Sequence, residues 1–332
     1  MGAMEYRKIA NGQLEVSTIC MGCWAIVGDD TWGAQAKSDA LGAIRAAVDS
    51  GVTFFDTAEG YGAGSSERML GEALGADRAK VVIGSKVSRA HLSAGELVAA
   101  CERSLANLGS DYIDVYHIHW PSREVPLDET VRTMESLIAS GKVRHLAVSN
   151  FGVADLGEIL PLARPACNQL GYSMLFRAIE FEMLPACRRG EVPVTCYSPL
   201  MQGLLTGKFA AVDDVPAGRA RTRHFSAARA GVRHGEAGAE DETFAAVAGV
   251  RALADEAGLD MGAMSLAWLI GREGVAAAIV GARSPDQARA NAAAGGLVLP
   301  DDLRRRLDEV TAPLKACLGP NPDMWQSTPR IR

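Results

Sequence analysis

The sequence lacks the features of a membrane-spanning or nucleic-acid-binding protein. Its 332 residues contain no apolar run near the roughly 20 residues that a bilayer requires. The first ten residues, MGAMEYRKIA, do not contain the apolar core of a signal peptide. Basic residues are in the minority, because 34 Lys and Arg stand against 40 Asp and Glu, for a formal charge of −6. A nucleic-acid binder needs a basic surface, so we expect neither a membrane nor a nucleic acid as partner.

Cysteines are few and scattered. The chain contains seven, an odd number in a chain of this length, so a disulfide framework is not expected. Cys20 and Cys23 form a C-x-x-C motif, but a redox pair would need a helix to start after Cys20, and the sequence continues with Gly22, Cys23 and Trp24. No second Cys or His pair stands at zinc spacing. We therefore expect reduced thiols, a cytoplasmic location and no bound metal.

A helix, a glycine and a buried strand recur in the same order along the chain. The first predicted helix has Ser38 as its cap and ends at Gly51, before the strand residues VTFFD. Similar units end at Gly109, before DYIDVYHIH, and at Gly141, before KVRHLAVSN. With 48% hydrophobic residues, the chain can bury a large core between such units.

Counting these units predicts eight strands, at residues 17–22, 53–56, 81–85, 112–118, 143–148, 166–169, 193–197 and 276–280. Apolar runs such as VVIG suit parallel strands that helices cover on both faces. Eight alternating units predict an α/β protein with a (β/α)8 TIM barrel. We expect one domain over residues 1–332, with an N-terminal β-hairpin and a long insertion near 201–240, after strand seven. A doubly wound open sheet is the alternative, but the absence of a break between the units favours a closed barrel.

Polar residues stand where the predicted strands end, which is the catalytic face of such a barrel. Strand two ends at Asp56, with Tyr61 five residues later, strand three ends at Lys86, and strand four ends at His119. A tyrosine can protonate an oxyanion, and a neighbouring ammonium should lower its ordinary pKa of about 10. An aspartate would hold that lysine in place, and a histidine can donate to a carbonyl oxygen. The four residues are therefore predicted to act as one proton-handling set.

Two neighbouring motifs have simpler interpretations. His117 and His119 form an H-x-H pair like that of metal-dependent TIM-barrel hydrolases, but none of the other histidines, His91, His145, His224 and His234, is placed to supply a further ligand. We interpret His117 as part of the barrel lining. The glycine-rich run at residues 60–64 lacks the final glycine and the partner acid of a dinucleotide-binding fingerprint, so we interpret it as a loop.

Seven motifs follow one another between about Met21 and Asn291: FFDTAEGYG, IGSK, DVYHIHWP, SNF, NQLGYS, YSPLMQGLLTGKF and IVGARSPDQARAN. In this order they resemble the motifs of the aldo-keto reductase superfamily, and of its bacterial and channel-β-subunit branches in particular. The resemblance implies a (β/α)8 barrel and NADPH-dependent, reversible reduction of an aldehyde or ketone. It also implies that Asp56, Tyr61, Lys86 and His119 are the catalytic tetrad, with Tyr61 as the proton donor.

The same resemblance implies the residues that contact the cofactor and the substrate. The cofactor contacts would be Gly22, Cys23, Trp24, Asp56, Ser149, Asn150, Gln169, Tyr197, Ser198, Leu200, Gln202, Gly203, Lys208, Gly281, Arg283, Gln287 and Asn291. The substrate pocket would have Trp24, Trp32, Trp120 and Phe151 as walls, beside Tyr61 and His119. Arg283 is expected at the 2′-phosphate, but where many members of the family have a Pro-Lys-Ser motif and a later arginine, this chain has Gly281-Ala282-Arg283 and Gln287, so NADH is also possible.

The predicted insertion is rich in arginine. Between Pro216 and Gly235 it contains five arginines and no carboxylate. One interpretation is a solvated basic loop; the other is a lid over the cofactor phosphates or an anionic substrate, because guanidinium groups suit both. Under the second interpretation Arg223 is the expected phosphate contact, and residues 211–236 are mobile until the cofactor binds.

A function of another class is also compatible with the resemblance. Some barrels of this branch serve ion channels, so the chain could be a cofactor-binding accessory subunit with little turnover. The intact tetrad favours an enzyme whose partner is a small carbonyl or alcohol compound. The sequence predicts neither the physiological substrate nor the oligomeric state.

Overall fold

The N-terminal hairpin covers the end of the barrel at which the parallel strands begin. The computed structural model describes residues 2–332. Strands β1 (Tyr6–Ile9) and β2 (Leu14–Ser17) pair antiparallel, which confirms the predicted hairpin. Ile9 and Val16 are fully buried and pack against small and apolar side chains inside the barrel. Because side chains fill this end of the barrel interior, the cleft with the polar strand-end residues lies at the opposite end.

Eight parallel strands form the closed barrel. They are β3 (Ile19–Gly22), β4 (Phe54–Asp56), β5 (Val82–Val87), β6 (Ile113–Ile118), β7 (Val143–Ser149), β8 (Asn168–Gly171), β9 (Val194–Tyr197) and β10 (Val275–Gly281). They pair in chain order, and β10 closes the barrel against β3. The predicted (β/α)8 barrel is confirmed, each predicted strand overlaps an observed one, and the open sheet is excluded.

Helices surround the barrel. They are α1 (Lys37–Asp49), α2 (Ser65–Leu74), α3 (Ala94–Leu108), α4 (Leu127–Ala139), α5 (Val153–Ile159), α6 (Met183–Arg189), α7 (Glu240–Ala257), α8 (Met261–Ile270), α9 (Pro285–Ala293) and α10 (Asp301–Leu318). The predicted cap Ser38 lies inside α1, which begins one residue earlier. Helix α3 ends as predicted at Gly109, whose left-handed backbone (φ 58°) suits a residue without a side chain.

The main core lies between the strands and the helices. Fully buried side chains such as Ile83 on β5 and Leu97 on α3 belong to this cluster. Each such side chain contributes about 1.5–3 kcal/mol relative to remaining exposed. This packing fixes the strand ends against one another and so fixes the geometry of the side chains that they carry. Within residues 2–332, no helix has the length and apolarity needed to cross a membrane.

Two irregular segments cover the C-terminal end of the barrel. The first is the predicted insertion after β9, which contains two short 3-10 helices, Met201–Thr206 and Val212–Asp214, before α7 begins. The second is a tail, residues 319–332, which follows α10. The tail returns to the start of α5, where the carbonyl oxygen of Arg332 accepts hydrogen bonds from the backbone of Ala154 and Asp155.

Candidate active site

A deep cleft of about 830 Å³ lies at the C-terminal ends of the strands. Its size is within the range of small-molecule sites, roughly 300–1,000 Å³. The predicted residues that line it are Gly22, Trp24, Trp32, Asp56, Tyr61, His119, Trp120, Ser149, Asn150, Gln169, Tyr197, Ser198, Leu200, Gln202, Gly203, Lys208, Gly281, Arg283, Gln287 and Asn291. The structure thus brings together most of the residues that the sequence analysis selected from separate strands.

Lys86 lies beneath the cleft floor with no exposed surface. Its Nζ donates to Asp56 Oδ1 at 2.6 Å, to the Thr57 carbonyl oxygen at 2.7 Å and to Tyr61 Oη at 3.2 Å. Asp56 pairs in register with Gly84 of the next strand. A Cβ at Gly84 would lie 3.2 Å from His117 Cε1, so glycine leaves room for the side chains beside it.

Both oxygens of the Asp56 carboxylate are engaged, because Gln169 Nε2 donates to Oδ2 at 2.8 Å. Burial acts to lower the pKa of Lys86, but the nearby Asp56 carboxylate and the Tyr61 hydroxyl outweigh it, and the pKa lies above its usual value. Lys86 is therefore a buried ammonium held by a fixed counter-ion, an arrangement that keeps an ionic pair stable in the interior.

Tyr61 lies in the loop after β4, with its ring between three other groups. Its ring stacks on Trp24 (centroids 6.1 Å apart), meets the His119 ring edge-on (6.0 Å) and lies 4.7 Å from Lys86 Nζ. Burial raises the pKa of Tyr61 and the Lys86 ammonium only partly opposes this, so the pKa lies above its ordinary value. Lys86 acts on this pKa in the predicted direction, but desolvation of a phenolate outweighs one ammonium, so the net lowering expected from the sequence does not occur in the free protein. At neutral pH the phenol keeps its proton.

His119 is the neutral member of the set. Burial, helped by Lys86 and His117, holds the pKa of His119 well below its usual value. A neutral imidazole can donate one hydrogen bond to an oxygen in the cleft. His117 is fully buried, and burial lowers its pKa to about 4. Its Nδ1 lies 3.2 Å from the Ser85 carbonyl oxygen and its Nε2 lies 3.6 Å from Cys167 Sγ, so it lines the barrel as interpreted.

Asn150 connects three strand ends. It has a left-handed backbone (φ 61°), which is unusual for a residue with a side chain and is found most often at functional sites. Its amide donates to the His119 carbonyl oxygen and to Ser149 Oγ, both at 3.0 Å, and accepts from Tyr197 Oη at 2.9 Å. This network fixes the Tyr197 ring in the cleft wall.

Several buried polar atoms of the cleft have no partner within residues 2–332. Both amide atoms of Gln202 are buried without a hydrogen bond, and so are Trp32 Nε1, Arg219 Nε and Arg221 Nε. Leaving such a group unpaired costs about 1–3 kcal/mol. Together these atoms indicate that the cleft binds an extended polar molecule.

Cations without carboxylate partners surround the same part of the cleft. Lys208, Arg219, Arg221, Arg233 and Arg283 line it, and within residues 2–332 none of them forms a salt bridge. Burial lowers the pKa of Lys208, and the charges of Arg219 and Arg283 lower it further. Uncompensated cations that repel one another favour the binding of an anion.

Arg223 does not reach the cleft, which corrects the expected phosphate contact. Its Nε donates to Glu236 at 2.8 Å, and its two other nitrogens donate to the carbonyl oxygens of Asn321 and Leu318. Arg229 likewise pairs with acids outside the carboxylate-free stretch. The composition of one segment could not show which carboxylates fold against it. The mobility of residues 211–236 stays a prediction.

Two other expected contacts also lie outside the cleft, and Arg283 has a further role. Cys23 and Phe151 are buried in the core and line no part of the cleft. Arg283 lines it, but its guanidinium also holds the loop before α1, donating to Gln35 Oε1 at 2.7 Å and to the Trp32 carbonyl oxygen at 2.6 Å.

The tail supplies two cleft residues that the sequence analysis missed, Trp325 and Arg330. Nothing in their local sequence indicates that the chain returns to the barrel mouth. A tryptophan and an arginine beyond the last helix were the only available signal.

Comparison with known proteins agrees with this geometry. The model of the Aldo/keto reductase family matches residues 18–312. Aldo-keto reductase YhdN of Bacillus subtilis is 36% identical over 215 residues, covering 62% of this chain and 65% of that protein, just under two thirds of its length. The NADH-specific methylglyoxal reductase of Escherichia coli is 31% identical over 325 residues, covering 89% of this chain and 95% of that protein.

Two further similarities concern a channel protein and a solved structure. A probable voltage-gated potassium channel subunit beta of Arabidopsis thaliana is 30% identical, covering 87% of this chain and 90% of that protein. The crystal structure of an aldo-keto reductase from Klebsiella pneumoniae in complex with NADPH has a TM-score of 0.74 and 30% identity, covering 93% of this chain and 95% of that one. The chain belongs to the aldo/keto reductase family.

Proposed function

We propose that the protein reduces aldehydes or ketones to alcohols with a nicotinamide dinucleotide, NADPH in preference to NADH. The observation that carries the proposal is the buried Lys86, which donates to both Asp56 and Tyr61 at the floor of the cleft. Family membership and the NADPH-bound Klebsiella structure support the cofactor class. The cytoplasmic location belongs to the same proposal.

The cleft fits such a cofactor, since it combines the unpaired buried amide of Gln202 with cations that have no carboxylate partner within residues 2–332. Ser149, Asn150, Gln169 and Tyr197 would hold the nicotinamide end, beside Tyr61. Gln202, Lys208, Arg219 and Arg221 would hold the phosphates, and Gly281, Gln287 and Asn291 would hold the adenosine end. When bound, the cofactor supplies a hydride to the carbonyl carbon and is oxidised.

The residues of the chain handle the oxygen atom and the proton. Neutral His119 donates a hydrogen bond to the carbonyl oxygen and orients it. As negative charge develops there, Tyr61 Oη gives its proton to that oxygen, which completes the alcohol. The Lys86 ammonium stabilises the phenolate that remains, and Asp56 keeps the ammonium in place. Water returns a proton to Tyr61 before the next turnover.

The test is NADPH oxidation, followed by its absorbance, with a panel of aldehydes that includes methylglyoxal. Tyr61→Phe should lower turnover by several orders of magnitude and leave the fold and NADPH binding unchanged, because only the acidic proton is removed. Tyr112→Phe is the matched control, since that ring packs between Arg78 and Arg144, away from the cleft. Turnover of Tyr61→Phe within tenfold of the parent would contradict the assignment. Tight NADPH binding without turnover of any compound would favour the accessory-subunit alternative.

A further inference from the structure

The tail places an arginine at the reacting end of the cleft. The guanidinium of Arg330 lies over the Trp120 ring, 3.8 Å from its centroid, and Trp120 directly follows His119. Arg330, Trp120 and Trp325 all line the cleft together with Tyr61. Tyr197 lines the same cleft.

One edge of the Arg330 guanidinium is fixed and the other is free. Its Nε and Nη2 donate to the two oxygens of Asp323 at 2.7 and 2.9 Å. Asp323 is fully buried and also accepts from the Trp325 backbone, so it is a rigid support. Nη1 donates to no residue within 2–332. A side-on pair of this kind leaves the end-on edge, formed by Nη1 and Nη2, available to a second acceptor.

The tail is held in place at points other than the Asp323–Arg330 pair, although the backbone N–H of Arg330 also donates to Asp323. Arg223 donates from its backbone to Met324 and from its side chain to Asn321, and Gly235 donates to Ser327. The tail is therefore anchored at several points that do not involve Arg330. Arg330 therefore combines a fixed position with an Nη1 group that lines the cleft side of the tail without a protein acceptor within residues 2–332.

We propose that Arg330 is a specificity-determining residue that binds the carboxylate of a substrate whose carbonyl group lies between Tyr61 and His119. The inference rests on the proposed function. The planar end-on fork matches a planar carboxylate, and the Trp120 and Trp325 rings offer apolar walls for the carbon atoms between the two groups. Asp323 already neutralises the single positive charge of Arg330, so this edge offers directed N–H donors with little net charge, and a singly charged carboxylate suits it better than a dianionic phosphate.

The test compares 4-carboxybenzaldehyde with its methyl ester, methyl 4-formylbenzoate. Arg330→Met should raise the KM for the acid by about tenfold to a hundredfold, the range for a lost charge-assisted hydrogen bond, and leave the KM for the ester unchanged. Arg330→Lys should retain part of the preference. Arg332→Met is the matched control, because Arg332 pairs with Asp155 and Glu158 outside the cleft.

Because Arg330→Met leaves Asp323 buried without its cation, the double variant Asp323→Asn, Arg330→Met provides a second measurement. Calorimetric binding of 4-(hydroxymethyl)benzoate and its methyl ester gives a readout that does not depend on turnover. The parent should bind the acid at least about tenfold more tightly, and both Arg330→Met variants should lose this preference. An unchanged preference in the variants would overturn the inference. If the parent turns over no aldehyde of the wider panel, the proposed function fails, and the binding ratio still decides the role of Arg330.

Discussion

At the scale of single residues, the site depends on a lysine that is charged although it has no exposed surface. An isolated buried ammonium would lose its proton, so the charge persists only because Asp56 and Tyr61 lie within hydrogen-bond distance. The same ammonium limits how far burial raises the pKa of Tyr61. Asp56, Lys86 and Tyr61 therefore act as one coupled unit.

This coupling predicts the effect of Lys86→Met on pH dependence. Without the ammonium, burial and Asp56 would both raise the pKa of Tyr61 further. Oxidation of an alcohol needs the phenolate, so the rising limb of its pH–rate profile should move to higher pH and the rate at neutral pH should fall at least about a hundredfold. The measurement is the profile of kcat from pH 6 to 11 in parent and variant. An unchanged pH–rate profile would show that Lys86 does not influence the proton transfer by Tyr61.

Three of the four proposed catalytic residues could be predicted from sequence because they stand at or next to a strand end, where barrel geometry already fixes their position. Asp56, Lys86 and His119 needed only the strand count to be placed together. The environment of Tyr61 could not be predicted in the same way. The extent of its burial depends on the Trp24 and His119 rings, which come from other loops, and that burial decides the direction of its pKa shift.

At the scale of elements, two loops meet over the cleft. The loop before α1 is held by Arg283. The insertion packs on the same loop so closely that a Cβ at Gly218 would lie 2.4 Å from the Asp30 carbonyl oxygen, and Arg221 donates to Thr31 at 2.8 Å. The position of Arg283 could be predicted because it follows the end of a strand. The contact between the two loops could not be predicted, because no sequence pattern in either loop indicates it.

Arg283→Ala is expected to weaken NADPH binding about tenfold to a hundredfold and NADH binding much less, if the arginine contacts the 2′-phosphate. The measurement is the Kd of each cofactor by fluorescence titration. Arg289→Ala, on the exposed side of α9, is the control because its ion pair with Asp286 lies at the surface. Equal losses of affinity for NADPH and NADH would instead indicate that Arg283 acts by holding the loop before α1 in place.

At the scale of the whole molecule, the insertion and the tail are locked together through Arg223. Its side chain connects Glu236 with the carbonyl oxygens of Leu318 and Asn321. The barrel could be predicted because glycines and apolar runs recur in each strand–helix unit of the sequence. The return of the tail to the barrel could not be predicted, since it depends on contacts between segments about 100 residues apart.

Arg223→Ala should lower the free energy of unfolding by about 2–4 kcal/mol, because it leaves a partly buried carboxylate and two carbonyl groups without their donor. Hydrogen exchange should quicken in residues 319–332, while the Kd for NADPH changes less than threefold. A large loss of NADPH affinity with unchanged exchange would restore Arg223 as a phosphate contact. The same exchange experiment with and without NADPH tests the predicted mobility of residues 211–236.

Buried histidines predict a loss of stability in acid. Burial lowers the pKa of His117 and of His224 to about 4 each. Between pH 6.5 and about 4 the unfolded chain therefore binds more protons than the folded one, and the free energy of unfolding falls as the pH is lowered. Urea unfolding from pH 7.5 to 4 measures this slope. The slope of the free energy of unfolding against pH should be shallower in a His224→Asn variant than in the parent. An equal slope would show that His224 does not contribute to the loss of stability in acid.

The closure of the barrel has a consequence for synthesis in the cell. Strands β3 and β10 pair Gly22 with Gly281, and both glycines line the cleft. On the ribosome this seam cannot form until nearly the whole chain has emerged, so the nascent protein carries Asp56, Tyr61 and Lys86 before the cleft around them is closed. A dinucleotide lying across the seam would bind only the closed chain and stabilise it, by about 2.7 kcal/mol at a hundred times its Kd. The lifetime of newly made protein would then follow the nicotinamide supply of the cell.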